Sequence, residues 1–149
     1  MSTTLISAIV RQTTVLLAQL ATGEGRRVTL ANTANEVFMS LVDELKDQGV
    51  SAKGIADMFG LTLRTYHNKT SRLSESRTDS GRSLWEALVS FIQDSGTVTR
   101  GRVLDRFRMD DEEVVRGVLR ELVDAGLVFR SGRGDGTFYR AARPDEVPA

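Results

Sequence analysis

The sequence contains no cysteine, only two prolines and a single histidine, His67. Without cysteine the chain can form no disulfide, no thiolate metal site and no cysteine nucleophile, which fits the reducing cytoplasm. One histidine provides no histidine-rich metal site and no second imidazole for a catalytic triad. We therefore expect a cytoplasmic protein that holds neither a metal nor a cofactor.

Catalytic motifs are absent as well. The glycine-rich stretch SGRGDG at 131–136 is followed by no lysine in the P-loop pattern, and no serine or threonine lies in a nucleophile elbow. The carboxylates cluster on a predicted helix, where capping and solvation account for them. The sequence therefore predicts a protein that is not an enzyme.

The chain also lacks a net charge, since 20 basic residues balance 20 acidic ones. Taken alone, this balance argues against a nucleic-acid-binding protein. The distribution is uneven, because residues 61–82 hold five bases and two acids, whereas residues 110–129 hold two bases and six acids. We therefore expect a basic and an acidic surface at different places.

A hydrophobic content of 40% in 149 residues suffices for one ordinary core or two small ones.

Residues 1–22 are largely apolar and carry one charge, Arg11. Their pattern predicts an amphipathic helix with a wide apolar face, within an N-terminal region that we place at residues 1–32. The segment lacks the basic start of a signal peptide, and polar residues at 11–14 interrupt any membrane span. We expect neither export nor a membrane anchor. The apolar face either packs on the helices that follow or pairs with a second copy, which would make the protein a homodimer.

Residues 33–73 predict three helices with local start and stop signals. A hydroxyl side chain precedes each helix and is expected to act as its N-cap: Thr33, Ser51 and Thr62. Thr33 also forms a capping box with Glu36. Gly49 is expected to end the first helix, and Gly60 to end the second in the left-handed conformation.

The stretch VSAKGIADMFGLTLRTYHNKTSRL, at 50–73, is the most informative part of the chain. Its apolar residues recur at helical spacing on both sides of a Gly-Leu-Thr turn, with the small Ala56 where two crossing helices come close. Ala56, Gly60, the Leu61-Thr62 turn and the segment LRTYHNKTSRL resemble the helix-turn-helix of bacterial DNA-binding regulators. The resemblance implies that the second of these two helices lies in the major groove of double-stranded DNA.

The predicted DNA-binding side chains surround the faces of this helix that point away from its apolar side: Arg64, Thr65, Asn68, Lys69, Ser71 and Arg72. Arg64 or Lys69 suits guanine edges or phosphates, and Asn68 suits the bidentate pairing with adenine. Thr65 and Ser71 suit phosphate oxygens. The alternative is that these polar residues form an ordinary solvated helix face.

A polar segment at 74–82 is expected to be a linker or a poorly packed helix end. Beyond it, residues 83–142 predict a helix, a short helix, a third helix and a β-hairpin, with N-caps expected at Ser83, at Thr99 and at Asp110, the last paired with Glu113. In this order of elements, in ELVDAGLVFR and in the turn SGRGDG, the region resembles the winged helix. We thus expect a mainly α fold, made of an N-terminal helix, a three-helix helix-turn-helix unit and a winged helix with a small β-hairpin, ending in a tail at 143–149.

The third helix of the winged unit has four acids in its first turn, at 110–113, which would repel phosphates if that end met DNA. Its outward bases are Arg116 and Arg120. The hairpin is more promising, because Arg130, Arg133 and Arg140 can lie against a phosphate backbone or reach a minor groove. The alternative is that the hairpin only completes a small sheet.

The leading prediction is a sequence-specific DNA-binding protein, a bacterial transcriptional regulator that works as a homodimer on double-stranded DNA. The alternative is an adaptor whose tandem helical units bind other proteins, with the acidic third helix meeting a basic partner. A linker-like C-terminal run is also compatible with a piece of a longer protein.

Overall fold

The structure is a computed structural model that describes residues 8, 10–15 and 27–142. This part of the chain is mainly helical, with a small antiparallel sheet, which confirms the predicted class. The elements follow in the order α1 (Arg27–Asp47), α2 (Ala52–Met58), α3 (Leu63–Arg72), α4 (Leu84–Ser95), β1 (Thr97–Thr99), α5 (Arg100–Arg106), α6 (Glu112–Asp124), β2 (Val128–Ser131), a short 3-10 turn (Gly134–Gly136) and β3 (Phe138–Ala141). Within the described ranges, no helix is long and apolar enough to cross a membrane.

The predicted N-terminal helix is described only in part. Residues 10–15 are helical, and the side chains of Val10 and Val15 are 57% and 49% exposed. The other apolar positions of that prediction, including Leu5 and Leu17, lie outside the described residues, as do the glycines at 23 and 25 and the tail at 143–149.

Helix α1 begins at Arg27, so the predicted start at Thr33 is wrong. Thr33 lies inside the helix, where its hydroxyl donates to the carbonyl of Thr29 at 2.9 Å. A threonine can satisfy its hydroxyl in this way without capping the helix. The helix extends toward the N-terminus because Val28 and Ala31 pack against the larger hydrophobic core, a tertiary contact that a local capping pattern does not reveal.

The described residues build two hydrophobic cores. The smaller one joins α1, α2 and α3 through four buried side chains: Val42, Ile55, Ala56 and Tyr66. The larger one joins α4, α6 and the sheet, and Leu88, Ile92 and Val118 are among its fully buried members. Since α1 packs against the larger core near Val28 and supplies Val42 to the smaller one, a single helix belongs to both.

Four of the predicted caps are confirmed. In each, the hydroxyl oxygen accepts from the backbone N–H three residues later, at 3.1 or 3.2 Å: Ser51 from Gly54, Thr62 from Thr65, Ser83 from Glu86 and Thr99 from Arg102. Gly60 also has the expected left-handed backbone, with φ of +70°. The four caps determine where α2, α3, α4 and α5 begin, and Gly60 determines where the turn after α2 lies.

The predicted cap at Asp110 is wrong, because Asp111 caps α6 by accepting from the N–H of Glu113 at 2.9 Å. Asp110 instead faces the segment at 74–82. Its carboxylate accepts from the hydroxyl of Ser76 at 2.9 Å, from the N–H of Arg77 at 2.8 Å, and from both the N–H and the hydroxyl of Thr78 at 3.2 and 2.8 Å.

These contacts give the segment at 74–82 a defined conformation. Ser76 is only 2% exposed, its N–H donates to the carbonyl of Arg82, and Glu75 forms a β-bridge with Ser83. Partial burial raises the pKa of Asp110, but the hydrogen bonds from Arg77, Thr78 and Ser76 outweigh it and hold that pKa below its ordinary value. The loop after α3 is therefore tied to the start of α6.

The sheet has the strand order β1-β3-β2, with both pairs antiparallel. Strands β2 and β3 form the predicted hairpin, and β1 adds a third strand that sequence patterning did not predict, because it is only three residues long between two helices. Gly132 begins the hairpin turn with φ of +83°, and a Cβ atom there would lie 2.2 Å from the carbonyl oxygen of Gly136. Only glycine fits this close approach.

Candidate nucleic-acid interface

Helix α3 has a buried side and an open side. Tyr66 is fully buried against α1 and α2, whereas four of the predicted side chains are exposed: Arg64, Thr65, Asn68 and Ser71. The helix contains three bases and no acid, and the Thr62 cap fixes its start. The hydroxyl of Thr65 accepts from the hydroxyl of Thr62 at 2.9 Å, which leaves its own proton available to a ligand.

Two of the predicted side chains are engaged elsewhere in the molecule. The ammonium of Lys69 lies 4.9 Å from the centroid of the Phe38 ring of α1, a cation–π distance. Arg72 donates from Nη1 to Oε2 of Glu121 on α6 at 3.4 Å. Both side chains are half-buried, so the open side of α3 consists of the other four.

Arg72 also packs closely on α6. Gly117 lies directly beneath its guanidinium, since a Cβ atom at this glycine would be 3.0 Å from Nε of Arg72. A glycine in the middle of a helix costs about 1 kcal/mol relative to alanine, and here it permits this close approach. Helices α3 and α6 are thereby joined along the second half of α3.

A cleft of about 230 Å³ separates the remaining faces of the two helices. Its lining is formed by four residues of α3 and three of α6: Arg64, Asn68, Ser71 and Arg72, with Glu113, Val114 and Arg120. Among the described residues, Arg64 and Arg120 have no hydrogen-bond or ion-pair partner. The cleft therefore holds two guanidinium groups that are free to bind an anion.

The surface beyond the start of α6 has the opposite character. Asp111, Glu112 and Glu113 are exposed, and Glu112 accepts from Nε of Arg116 at 3.1 Å. A second cleft of about 510 Å³ has Glu75, Asp110, Asp111 and Arg77 among its lining residues. The boundary between basic and acidic surface thus runs along the contact between α3 and α6.

The predicted hairpin residues Arg130 and Arg133 are both exposed. Arg140 differs, since its guanidinium lies 4.7 Å from the centroid of the Phe129 ring. Arg100 of α5 donates from Nη2 to the carbonyl of Gly134 at 3.1 Å, which supports the turn. Helix α6 contacts both α3 and β2, so it connects the two predicted patches.

The contact between α3 and α6 is not predicted from the sequence. Arg120 is predicted only as an outward base, and Glu121 has no predicted role. The one available signal was Gly117, because a glycine inside an amphipathic helix indicates a close approach by another group.

His67, the single histidine, is exposed beside the ring of Tyr66. Within the described ranges, no group of three or more His, Cys, Asp and Glu residues is arranged to hold a metal ion.

Comparison of the chain with protein-family models, curated proteins and solved structures gave no match. We therefore infer a function from the geometry and charge of the surface around α3.

Proposed function

We propose that this chain is a sequence-specific, double-stranded DNA-binding protein that acts as a transcriptional regulator. In this proposal α2 and α3 are a helix-turn-helix, and α4 to β3 are a winged helix. One observation carries the proposal: α3 has no acidic residue and presents Arg64, Thr65, Asn68 and Ser71 on one open side.

These side chains suit the major groove, which is wide enough for an α-helix. Asn68 can pair bidentately with adenine, and Arg64 can donate to guanine or to a phosphate. The hydroxyls of Thr65 and Ser71 can donate to phosphate oxygens, contacts that fix the register of a protein on the duplex. Lys69 contributes positive charge beside Phe38 without lying on the open side.

The hairpin supplies a second contact in this proposal. Arg130 and Arg133 are exposed near a turn that contains three glycines, so their side chains can lie along the backbone or enter a minor groove. Helix α6 contacts both α3 and β2, so it would connect the two DNA contacts.

A homodimer is part of the proposal, since a two-fold protein matches two half-sites. The exposed Val10 and Val15 in the helical residues 10–15 support a contact made by the N-terminal region. Sedimentation equilibrium should give a dimer mass for the full chain. A monomer at micromolar concentration would remove the dimer from the proposal.

Selection of oligonucleotides from a random pool, followed by fluorescence anisotropy with the selected duplex, tests DNA binding directly. We expect Arg64→Ala combined with Asn68→Ala to abolish the preference for the selected site, because the base contact of Asn68 is lost, a loss of about 1–3 kcal/mol in discrimination. Thermal unfolding should change little, because both side chains are exposed. Affinity should also fall steeply with salt, since phosphate neutralisation releases counterions.

Arg102→Ala is the matched control, because Arg102 is exposed on α5 and does not line the cleft beside α3. It should leave both the preference and the affinity nearly unchanged. If the Arg64/Asn68 double variant keeps the site preference of the original protein, α3 is not the recognition helix.

The exposed acids Asp111, Glu112 and Glu113 favour one other function, an adaptor that binds a basic protein partner. Electrophoretic mobility shifts with random-sequence DNA distinguish the two functions. At near-physiological ionic strength, an adaptor should cause no salt-dependent shift of the DNA, whereas a DNA-binding regulator should cause a shift through non-specific binding.

A further inference from the structure

We infer that the cleft between α3 and α6 holds one phosphodiester group of the DNA backbone, clamped between Arg64 and Arg120. This inference rests on the proposed function and adds to it a contact from α6, the helix whose acidic first turn argued against DNA binding. The contact comes from Arg120, seven residues beyond Glu113, the last acid of that turn.

The two arginines lie on different helices that line the same cleft of about 230 Å³. Both are exposed, and neither has a partner among the described side chains. A guanidinium binds phosphate through paired N–H donors, and two such groups on opposite walls enclose the anion. The side chain of Ser71 lines the same cleft and adds a hydroxyl donor.

The charge of the cleft fits a phosphodiester. Arg72 is paired with Glu121, so the unpaired charges in the lining are Arg64, Arg120 and Glu113, which together leave a charge of +1. A backbone phosphodiester carries one negative charge, whereas a phosphate monoester carries about 1.5 to 2. The exposed carboxylate of Glu113 thus disfavours the more highly charged free phosphate group.

The cleft is also held at a fixed width. Arg72 joins the last turn of α3 to Gly117 and Glu121 of α6. Asp110 joins the loop that follows α3 to the start of α6 through its bonds to Ser76, Arg77 and Thr78. Because these two connections exist without DNA, little ordering has to accompany the binding of the phosphate.

The inference is tested by a double-mutant cycle on the full chain, with anisotropy of a labelled random-sequence duplex as the readout. Arg64→Ala and Arg120→Ala should each weaken binding about ten- to a hundredfold, as expected for a lost charge-assisted hydrogen bond. Each should also reduce the slope of log affinity against log salt by about one. Since both arginines hold the same phosphate, the double variant should lose less than the product of the two single losses.

Arg116→Ala is the matched control. Arg116 precedes Arg120 by one helical turn on α6, but it is paired with Glu112 and does not line the cleft. It should bind within about twofold of the original protein, and circular dichroism should show equal melting temperatures for all four variants, whose replaced side chains are all on the surface.

The possible failures are distinct. If the unaltered protein binds no duplex DNA, both the proposed function and the phosphate clamp are wrong. If it binds DNA and Arg64→Ala weakens binding while Arg120→Ala behaves like Arg116→Ala, only the clamp is wrong. If both single variants weaken binding and their losses multiply, the two arginines contact different phosphates and the shared site is overturned.

Discussion

Helices α3 and α6 occupy similar positions in the two halves of the molecule and carry opposite charge. Each follows a seven-residue helix, and each begins with a side-chain cap, Thr62 for α3 and Asp111 for α6. Helix α3 contains no acid, whereas α6 has two acids in its first turn. The same arrangement of helices therefore yields one basic and one acidic surface, and the exposed residues, not the packing, distinguish the two.

The halves also differ in how much apolar surface holds them together. The core beneath α3 has four buried side chains, while the core beneath α6 includes residues from α4, α6 and the sheet. Since buried apolar area is the main source of stability, α6 should be the harder of the two helices to unfold locally.

The largest expected effect comes from removing side-chain volume from the larger core. Leu88 is fully buried on α4, so Leu88→Ala should lower the free energy of unfolding by about 2–5 kcal/mol, measured by urea denaturation. In hydrogen exchange, this variant should reduce the protection of α6 amides more than that of α3 amides, which we expect to exchange through local opening.

Leu41→Ala is the control for this prediction, because Leu41 is 48% exposed on α1. Its replacement should lower the free energy of unfolding by much less than Leu88→Ala does. Equal protection of α3 and α6 in the unaltered protein would show that the two cores unfold as one unit, and the contrast between them would disappear.

An intermediate effect is expected at the connection between the halves. Asp110→Ala leaves the donors of Ser76, Arg77 and Thr78 without their shared acceptor and should destabilise the protein by about 1–2 kcal/mol. Asp111→Asn is the matched control, since asparagine caps a helix about as well as aspartate.

Acid should reproduce this loss in the unaltered protein. The pKa of Asp110 in the folded chain lies below its ordinary value of 3.8, so its stabilisation is complete above that pH and disappears as the pH falls through the folded pKa. The stability difference between the unaltered protein and Asp110→Ala should therefore shrink below pH 3.8. A difference that stays constant down to pH 2 would contradict the role of the carboxylate.

The smallest expected effect lies in the core beneath α3. The hydroxyl of Tyr66 is buried and has no hydrogen-bond partner among the described residues, so it contributes a desolvation cost to the smaller core. Tyr66→Phe should leave stability unchanged or raise it by up to about 1 kcal/mol in chemical denaturation. A loss of more than about 1 kcal/mol would indicate that the hydroxyl has a partner in solution.

The features predicted correctly from the sequence are those that a few neighbouring residues determine. The hydroxyl caps at Ser51, Thr62 and Ser83 bond to backbone three residues away, so the local pattern contains both partners. The same local signals placed the hairpin strands, because a glycine-rich turn lies between two short apolar runs.

The features that were missed depend on residues far apart in the chain. Arg72 and Glu121 are 49 positions apart, and Asp110 meets Ser76 across 34 positions. The residues near Thr33 do not indicate that α1 begins six residues earlier. That extension depends on the contacts of Val28 and Ala31 with the larger core, which come from distant parts of the chain. For the same reason the sequence identified the polar residues of α3 but did not indicate that Lys69 and Arg72 contact α1 and α6.

Helix α1 has a consequence for how the chain can change over evolution. Because one uninterrupted helix packs against the larger core at Val28 and supplies Val42 to the smaller one, the number of residues between them fixes how these two contacts are oriented around the helix. Inserting a single residue there would rotate one contact relative to the other by about 100°. Insertions or deletions in this stretch should therefore be rare in any homologue, while the loop at 48–51 should tolerate them far better.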